Sequence, residues 1–275
     1  MRGTFAFISG FKHISIAATL AIFFSVGASA QSSDEDLINA DRPGIADGST
    51  VVGARTFQIE SGIQEEFRRN GTDREHTFFV PTLLRFGIDN HWEIRIEGNT
   101  FTRVTTFDSA NTTDHSSGFA PVSLGFKYQI YNSNQLTLGT IARVFPAWGS
   151  KEFHPQHTTG DFRLAADWNF APSLKLSLNP NIGVARYEDD QGRAFSALLF
   201  ATTLNYLPTK KLNPFIDIGV QAPEEKNGET SAILDSGVAY IVGRNVQLDA
   251  SIGTRVHGDT GPRPFLSFGI SWRAK

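Results

Sequence analysis

The sequence predicts an all-β protein: a transmembrane, antiparallel, up-and-down β-barrel of about twelve strands behind an N-terminal signal peptide. Three observations predict this class. Apolar and polar residues alternate with a period of two in one segment after another, short and long connections alternate between those segments, and the chain begins with a pattern typical of exported proteins. A strand with this period has one apolar and one polar face, as in the wall of a membrane barrel.

The first thirty residues predict export. Arg2 and Lys12 accompany an apolar run over residues 14–27, and Ala28-Ser29-Ala30 supplies the small residues that a signal peptidase requires. The apolar run is shorter than the roughly 20 residues that a membrane-spanning helix needs. We therefore divide the chain into a signal peptide (1–30), an N-terminal lead (31–54) and an outer-membrane barrel (55–275).

Composition excludes several classes of function. The formal charge is −3 for the whole chain, and loss of the two basic residues in 1–30 makes it −5. No basic stripe is present to displace the counterions of phosphates, so no nucleic-acid partner is predicted. The chain has no cysteine, which excludes disulfides, cysteine-bound metals and a cysteine nucleophile.

The clearest alternation lies near the C-terminus. Val246 and Leu248 alternate with Gln247 and Asp249, and the pattern resumes at Leu266 after a polar hairpin. An even number of such segments suits a closed antiparallel barrel with both termini on one side. The same pattern predicts strands near residues 55–68, 75–87, 91–106, 119–131, 135–147, 160–170, 173–187, 195–207, 213–221, 230–242, 245–257 and 263–273.

The connections between these segments are sorted by length. Short connections are predicted at residues 88–90, 132–134, 171–172, 208–212 and 243–244. Longer polar connections are predicted at residues 69–74, 107–118, 148–159, 188–193, 223–229 and 258–262. Outer-membrane barrels have short periplasmic turns and longer extracellular loops, so we expect an outer-membrane location with both termini in the periplasm. A soluble β-sandwich or lipocalin-like barrel is the alternative, and it gives no reason for this sorting.

Aromatic residues near strand ends favour the membrane interpretation, because amphipathic rings form girdles at the two interfaces of a membrane. The residues in such positions are Trp92, Tyr128, Tyr131, Trp148, Trp168, Tyr187, Tyr206, Tyr240 and Trp272.

Several motifs resemble one known family. Asp41-Arg42-Pro43, residues 57–62 (FQIESG), residues 81–88 (PTLLRFGI), residues 120–127 and residues 246–250 are similar, in order and spacing, to the outer-membrane family named for the meta-pathway of phenol degradation. The resemblance covers nearly the whole mature chain. It implies an outer-membrane barrel that lets small hydrophobic or aromatic compounds across, and it does not name the solute.

Charged residues on the polar faces are candidates for lining the lumen, which is narrow for about twelve strands. They either form a ladder that orients a permeating solute or pair across the lumen to stabilise a closed wall. Arg85, Glu93 and Arg95 flank one short turn, so we expect an ion-pair cluster at the periplasmic mouth. The lumen candidates are Glu60, Arg85, Glu93, Arg95, Lys127, Arg143, Asp161, Arg163, Asp167, Asp217, Asp249 and Arg255, together with Glu97, Arg103 and Asp235.

The lead has no strand pattern before Val51 and is read as loop. Two arrangements remain open: it folds into the barrel as a plug, or it extends into the periplasm as a disordered segment. If it is a plug, Asp41, Arg42 and Pro43 are the candidates for meeting the charges of the lumen.

These features favour an outer-membrane channel or transporter for small hydrophobic or aromatic solutes. The alternative is a non-conducting structural or adhesion-type barrel, and the third hypothesis is an outer-membrane lipid hydrolase using His115 and Ser116. Neither enzymatic activity nor a cofactor or metal site is predicted. The expected partners are outer-membrane lipid, a small solute, and the barrel-assembly machinery, which would read Phe268, Ile270 and Trp272 near the C-terminus.

Overall fold

The computed structural model of the protein describes residues 36–110, 112–189, 191–223, 225–258 and 261–275. The predicted signal peptide lies outside the described residues. Within them, no helix is both long and apolar enough to span a membrane.

The described residues form one closed antiparallel sheet, which confirms the all-β barrel. Except for β4 and β5, which both pair with β3, each strand pairs with its neighbours in the chain, and β1 pairs with β13 over ten residue pairs, so the sheet has no open side there. The strands are β1 (Phe57–Asn70), β2 (Asp73–Gly87), β3 (Trp92–Phe107), β4 (Thr113–Gly118), β5 (Val122–Asn132), β6 (Leu136–Phe145), β7 (Thr159–Ala171), β8 (Leu176–Glu188), β9 (Ala194–Tyr206), β10 (Leu212–Gln221), β11 (Ser231–Gly243), β12 (Val246–His257) and β13 (Phe265–Ala274).

Two of these strands are halves of one interrupted strand. β5 pairs with the first half of β3 and β4 with its second half, and residues 119–121 separate them. Twelve strands therefore surround the lumen, as the sequence predicts. The prediction of a loop over residues 107–118 is wrong, because Thr113–Gly118 is strand; its sequence, TDHSSG, has no apolar face that alternation could reveal.

The connections at the two ends of the barrel differ in length. Residues 88–91, 133–135, 172–175, 207–211 and 244–245 make short turns at one end, which we call the short-turn end. The longest connections, residues 146–158 and 222–230, lie at the other end. The predicted long connection at residues 69–74 is wrong, because only Gly71 and Thr72 separate β1 from β2. Gly71 has a φ of +61°, which suits a two-residue hairpin.

The strand faces follow the predicted alternation. On β12, Gln247, Asp249 and Ser251 point inward and are buried, whereas Leu248 and Ile252 point outward and are exposed. Most of the girdle candidates also lie on the outer surface, including Trp92, Trp168 and Trp272. Tyr187 is an exception: it faces the lumen, next to Phe195 at a ring distance of 5.8 Å.

One inward prediction fails because of a β-bulge. The register of β2 and β3 shifts between Val80 and Pro81, so β3 gains an extra residue there. A one-residue shift moves every later side chain to the other face. Arg103 therefore pairs with outward-facing Phe78 and is exposed, and its prediction as a lumen residue is wrong.

A charge on the outer face should destabilise the barrel according to its depth. We expect Ile216→Arg, in the middle of β10, to cost about 2–4 kcal/mol of folding free energy in lipid, and Val242→Arg, near a short turn, about 0–1 kcal/mol. Both side chains are 53% exposed, so burial is matched. Urea titration in lipid vesicles, followed by heat-modifiable migration on gels, measures both values. Equal costs would contradict a lipid-facing outer surface.

Candidate permeation site

The lumen contains the N-terminal lead. It enters at the short-turn end, where Ile38 donates from its backbone N–H to the carbonyl of Arg244 at 2.8 Å. It leaves at the same end, where the N–H of Arg55 donates to the carbonyl of Gly87 at 2.8 Å. Between these points it forms a loop inside the barrel, and Ile38 and Ser49 are 3% and 0% exposed.

Asp41 is the main anionic contact of the lead. Its carboxylate lies 2.5 Å from Arg95, 2.9 Å from Lys127 and 3.5 Å from Arg85. These three cations come from β2, β3 and β5, and each is at most 1% exposed. Burial alone would raise the pKa of Asp41, but the positive charges of Arg85, Lys127 and Arg95 outweigh it and hold that pKa well below its usual range. Asp41 is therefore ionised at neutral pH.

Asp47 forms the second contact, higher in the barrel. Its carboxylate bridges Arg95 at 3.0 Å and Arg163 at 2.9 Å. Its backbone N–H donates to the Asn181 side chain, which in turn donates to the Asp47 carbonyl at 2.9 Å. Ser49 donates from its N–H and its hydroxyl to Asp167. Asp47 and Ser49 thus connect the lead to β3, β7 and β8.

Arg42 connects the lead to the opposite side of the barrel. Its guanidinium lies 3.0 Å from both Asp249 and Ser267, and its backbone N–H donates to Glu60. A Cβ atom at Gly269 would overlap the Arg42 side chain. Glycine at this position is therefore needed for Arg42 to lie flat against the wall.

The first charged layer lies below the lead, at the short-turn end. Arg85 donates to Glu93 at 2.7 Å and to Glu60 at 3.0 Å, and Arg95 contacts Glu93 at 3.4 Å. The expected cluster of Arg85, Glu93 and Arg95 is therefore present in the structure.

The second charged layer lies above the lead. Arg143 bridges Asp161 at 2.6 Å and Glu97 at 2.7 Å, and Arg163 contacts Asp161 at 3.2 Å. Paired charges therefore lie above and below the lead on one side of the lumen.

The remaining lumen candidates are held less tightly. Asp217 accepts one hydrogen bond from the N–H of Ile45 at 2.8 Å, and it lies directly opposite Asp235 in the sheet register. Arg255 faces inward from β12, and among the described residues it has no ion-pair partner. Of the fifteen sequence-derived lumen candidates, all but Arg103 thus lie on inward positions, but they do not form one continuous ladder.

Sequence reasoning missed several residues of the site. Ile45, Asp47 and Ser49 contact the wall through their backbone N–H groups, and Asp47 and Ser49 also do so through their side chains. The sequence analysis read this segment as loop and predicted no position for these three residues. A row of inward amides on the wall was also missed, because uncharged side chains give a weak signal on a polar face; these are Asn179, Asn181, Asn205 and Asn213.

The hydrolase hypothesis lacks the geometry it requires. His115 and Ser116 are neighbours on β4, so their side chains point to opposite faces of the sheet. The His115 ring lies 3.0 Å from the Thr105 hydroxyl instead of from a serine. Within the described ranges, no three acidic or histidine side chains gather as metal ligands either.

Cavities lie on both sides of the lead. A cavity of about 450 Å³ lies above it, towards the long connections, and one of about 240 Å³ lies below it, towards the short turns. Residues 41–44 line both cavities, so this four-residue segment is the partition between them. A third cavity, of about 770 Å³, continues upward beneath residues 151–156.

Fold and lumen together define a β-barrel of the outer-membrane class. The chain belongs to the family described as "Putative MetA-pathway of phenol degradation", whose model matches residues 40–274. The family resemblance read from the sequence is therefore confirmed. A search of curated protein sequences gives no match.

Solved structures with the same fold are outer-membrane barrels. An outer-membrane channel from Pseudomonas putida F1 superposes with a TM-score of 0.64 at 12% identity, covering 84% of this chain and 99% of that one. The β domain of the Bordetella autotransporter BrkA gives 0.54 at 12% identity, covering 79% and 99%. The transport unit of the autotransporter AIDA-I from Escherichia coli gives 0.51 at 10% identity, covering 87% and 93%. At these identities the likeness concerns the fold.

Removing the Asp41 charge should free the lead. Asp41→Asn leaves three buried cations short of an anion, so we expect a loss of about 3–5 kcal/mol of unfolding free energy. Asp36→Asn is the matched control: Asp36 pairs with Arg273, but its side chain is 59% exposed, so its loss should cost less than about 1 kcal/mol.

Urea unfolding measures the stability of both variants, and hydrogen exchange of residues 38–50 reports on the lead itself. The ion-pair account predicts faster exchange of this segment in Asp41→Asn alone. Equal exchange in the two variants would refute it.

Proposed function

We propose that the protein is an outer-membrane channel for small hydrophobic or aromatic solutes and that the lead is its gate. The observation that carries the proposal is the thin partition in the lumen. Residues 41–44 line both the upper cavity and the lower one, and a short displacement of this segment would join them.

The lining of the upper lumen supports a hydrophobic solute. A side cavity of about 230 Å³ is lined mainly by apolar residues, among them Leu199 and Ile233, and Tyr187 borders both this cavity and the outermost one, whose other lining residues are mostly charged or polar. Apolar and aromatic walls with a few polar groups are typical of sites for small organic molecules. The family description, which names phenol degradation, points the same way.

The orientation and biogenesis of the barrel are part of the proposal. We infer that the short-turn end, with both termini, lies in the periplasm, and that residues 1–30 are removed after export. The exposed apolar outer face would contact outer-membrane lipid. The barrel-assembly machinery would insert the chain, reading Phe268, Ile270 and Trp272 on the last strand.

A non-conducting barrel is the second candidate, and one observation favours it. The lead is packed tightly on the charged side of the lumen, where Ser49 is completely buried and the carbonyl of Ser49 would lie 2.5 Å from a Cβ atom at Gly139. A lead that never moves would leave the barrel closed.

Conductance in planar bilayers separates the two candidates. We expect small, infrequent currents from the wild type and larger ones from Arg42→Ala, because that change removes the contacts of the partition with Asp249 and Ser267. Arg244→Ala, in a short turn outside the lumen, is the control and should behave as the wild type. Silence of the wild type and of Arg42→Ala under all conditions would favour the non-conducting barrel and reject the channel.

The apolar lining predicts that aromatic solutes interrupt the current. With 4-nitrobenzyl alcohol as probe, we expect transient blocks whose duration falls about tenfold in Tyr187→Ser, equivalent to about 1.4 kcal/mol of lost contact. Tyr206→Ser, on the outer face, is the matched control. Block durations that are the same in all three proteins would show that Tyr187 does not line the path.

A further inference from the structure

Two adjacent strands carry no charge on their inward face. The inward residues of β8 and β9 are hydroxyl, amide, aliphatic or aromatic residues from one end of the barrel to the other, and we call this face the uncharged wall. Its members are Ser177, Asn179, Asn181, Gly183, Ala185 and Tyr187 on β8, and Phe195, Ala197, Leu199, Ala201, Thr203 and Asn205 on β9.

The lower part of the uncharged wall is held rigid by a row of amides. Asp167 can only accept hydrogen bonds, so Asn179 donates to it, Asn205 donates to the Asn179 carbonyl oxygen, and Asn213 donates to Asn205 at 2.8 Å. The direction of each amide is thus set by the carboxylate at the start of the row. Side chains fixed in this way present an ordered, neutral surface to the lower cavity.

Cavities lie against the uncharged wall both above and below the lead. The side cavity of about 230 Å³ touches Leu199 and Ala201, and the lower cavity of about 240 Å³ touches Thr203 and Asn205. Between them lies the lead: a Cβ atom at Gly44 would lie 3.4 Å from the Thr203 hydroxyl and 3.1 Å from the Asp217 carboxylate, which already accepts the N–H of Ile45. On the opposite side of the lumen the cavity above the lead is lined by charged residues such as Arg95, Glu97 and Arg143, and the ion pairs of Asp41 and Asp47 hold the lead against that wall.

We propose that solute crosses the barrel along the uncharged wall, between Gly44 of the lead and Thr203, and that Thr203 and Asn205 make this path selective for neutral molecules of about one aromatic ring. The proposal rests on the channel function proposed above. It adds the route, the residues that select, and the class of solute.

The physical basis is the cost of desolvation. An ion that leaves water beside amides and aliphatic side chains loses solvation energy, and the nearest carboxylate, Asp217, is already engaged by the N–H of Ile45; a neutral solute loses little. The charged side of the lumen does not offer a permeating ion a free counter-charge either, because its charges are already paired with one another. The size limit follows from the cavities, since a cavity of about 150 Å³ is enough to hold benzene.

An isosteric charge tests the route. Asn205→Asp places a carboxylate on the proposed path, so the permeability ratio of K⁺ to Cl⁻, from reversal potentials in a KCl gradient, should rise severalfold. Gln129→Glu is the matched control: Gln129 faces inward from β5 near the short turns and is 7% exposed against 8% for Asn205, but it lies behind the lead. Its ratio should not change.

If Asn205→Asp does not fold, a second measurement still tests the route. Because the chain has no cysteine, Thr203→Cys and Gln129→Cys each carry one thiol. A neutral methanethiosulfonate reagent added at the short-turn side should label the Thr203→Cys variant quickly, as read by mass, and cut its current. The Gln129→Cys variant should react slowly and keep its current unchanged.

The outcomes separate the route from the channel function. If the wild type and Arg42→Ala conduct but Gln129→Glu shifts the ion ratio or labelling of Gln129→Cys blocks the current, the route is wrong and the channel stands. If neither conducts, the channel function fails, and the route fails with it. If Asn205→Asp leaves the ion ratio unchanged and labelling of Thr203→Cys leaves the current unchanged, the uncharged wall is not the path.

Discussion

The structure depends on a cluster of three buried cations in which Arg85 and Arg95 pair with carboxylates of the wall, whereas Lys127, among the described residues, forms its ion pair with the lead alone. Arg85, Arg95 and Lys127 face inward with almost no exposure, and Asp41 of the lead lies within 3.5 Å of each. A buried cation without a partner, as Lys127 would be without Asp41, is strongly destabilising in a low-dielectric interior. The lead is therefore a component of the folded barrel, and its position in the lumen follows from the sequence of the wall.

The same constraint divides the lumen into unequal sides. Strands β2, β3, β5 and β7 hold the lead by ion pairs to Asp41 and Asp47, while β8 and β9 contribute uncharged side chains, of which Asn181 hydrogen-bonds to Asp47. Arg42 and Ile45 reach the far wall through few contacts, to Asp249, Ser267 and Asp217. The lead is thus held firmly on one side and weakly on the other, as expected of a gate that moves locally while staying bound.

Most of the fold could be predicted from the sequence, because a wall with one apolar face imposes a period of two on nearly every strand. The failures have physical causes. β4 has no apolar face, the bulge at Val80 and Pro81 inverts the side of Arg103, and the hairpin at Gly71 needs only two residues. For the site, charge marked the wall residues and Asp41. The role proposed for Asn205 and Thr203 could not be predicted from the sequence, because it depends on which part of the lumen the lead leaves open.

The central claim is that movement of the partition along the uncharged wall opens the lumen. A reversible disulfide tests this claim most directly. Gly44→Cys with Thr203→Cys places two thiols at a separation that a disulfide spans, in a chain with no other cysteine. Planar-bilayer current of this double variant would be recorded oxidised and then after reduction. The account predicts that oxidation suppresses the current and reduction restores it, with both single variants unaffected. A current that is the same in the oxidised and reduced states would contradict it.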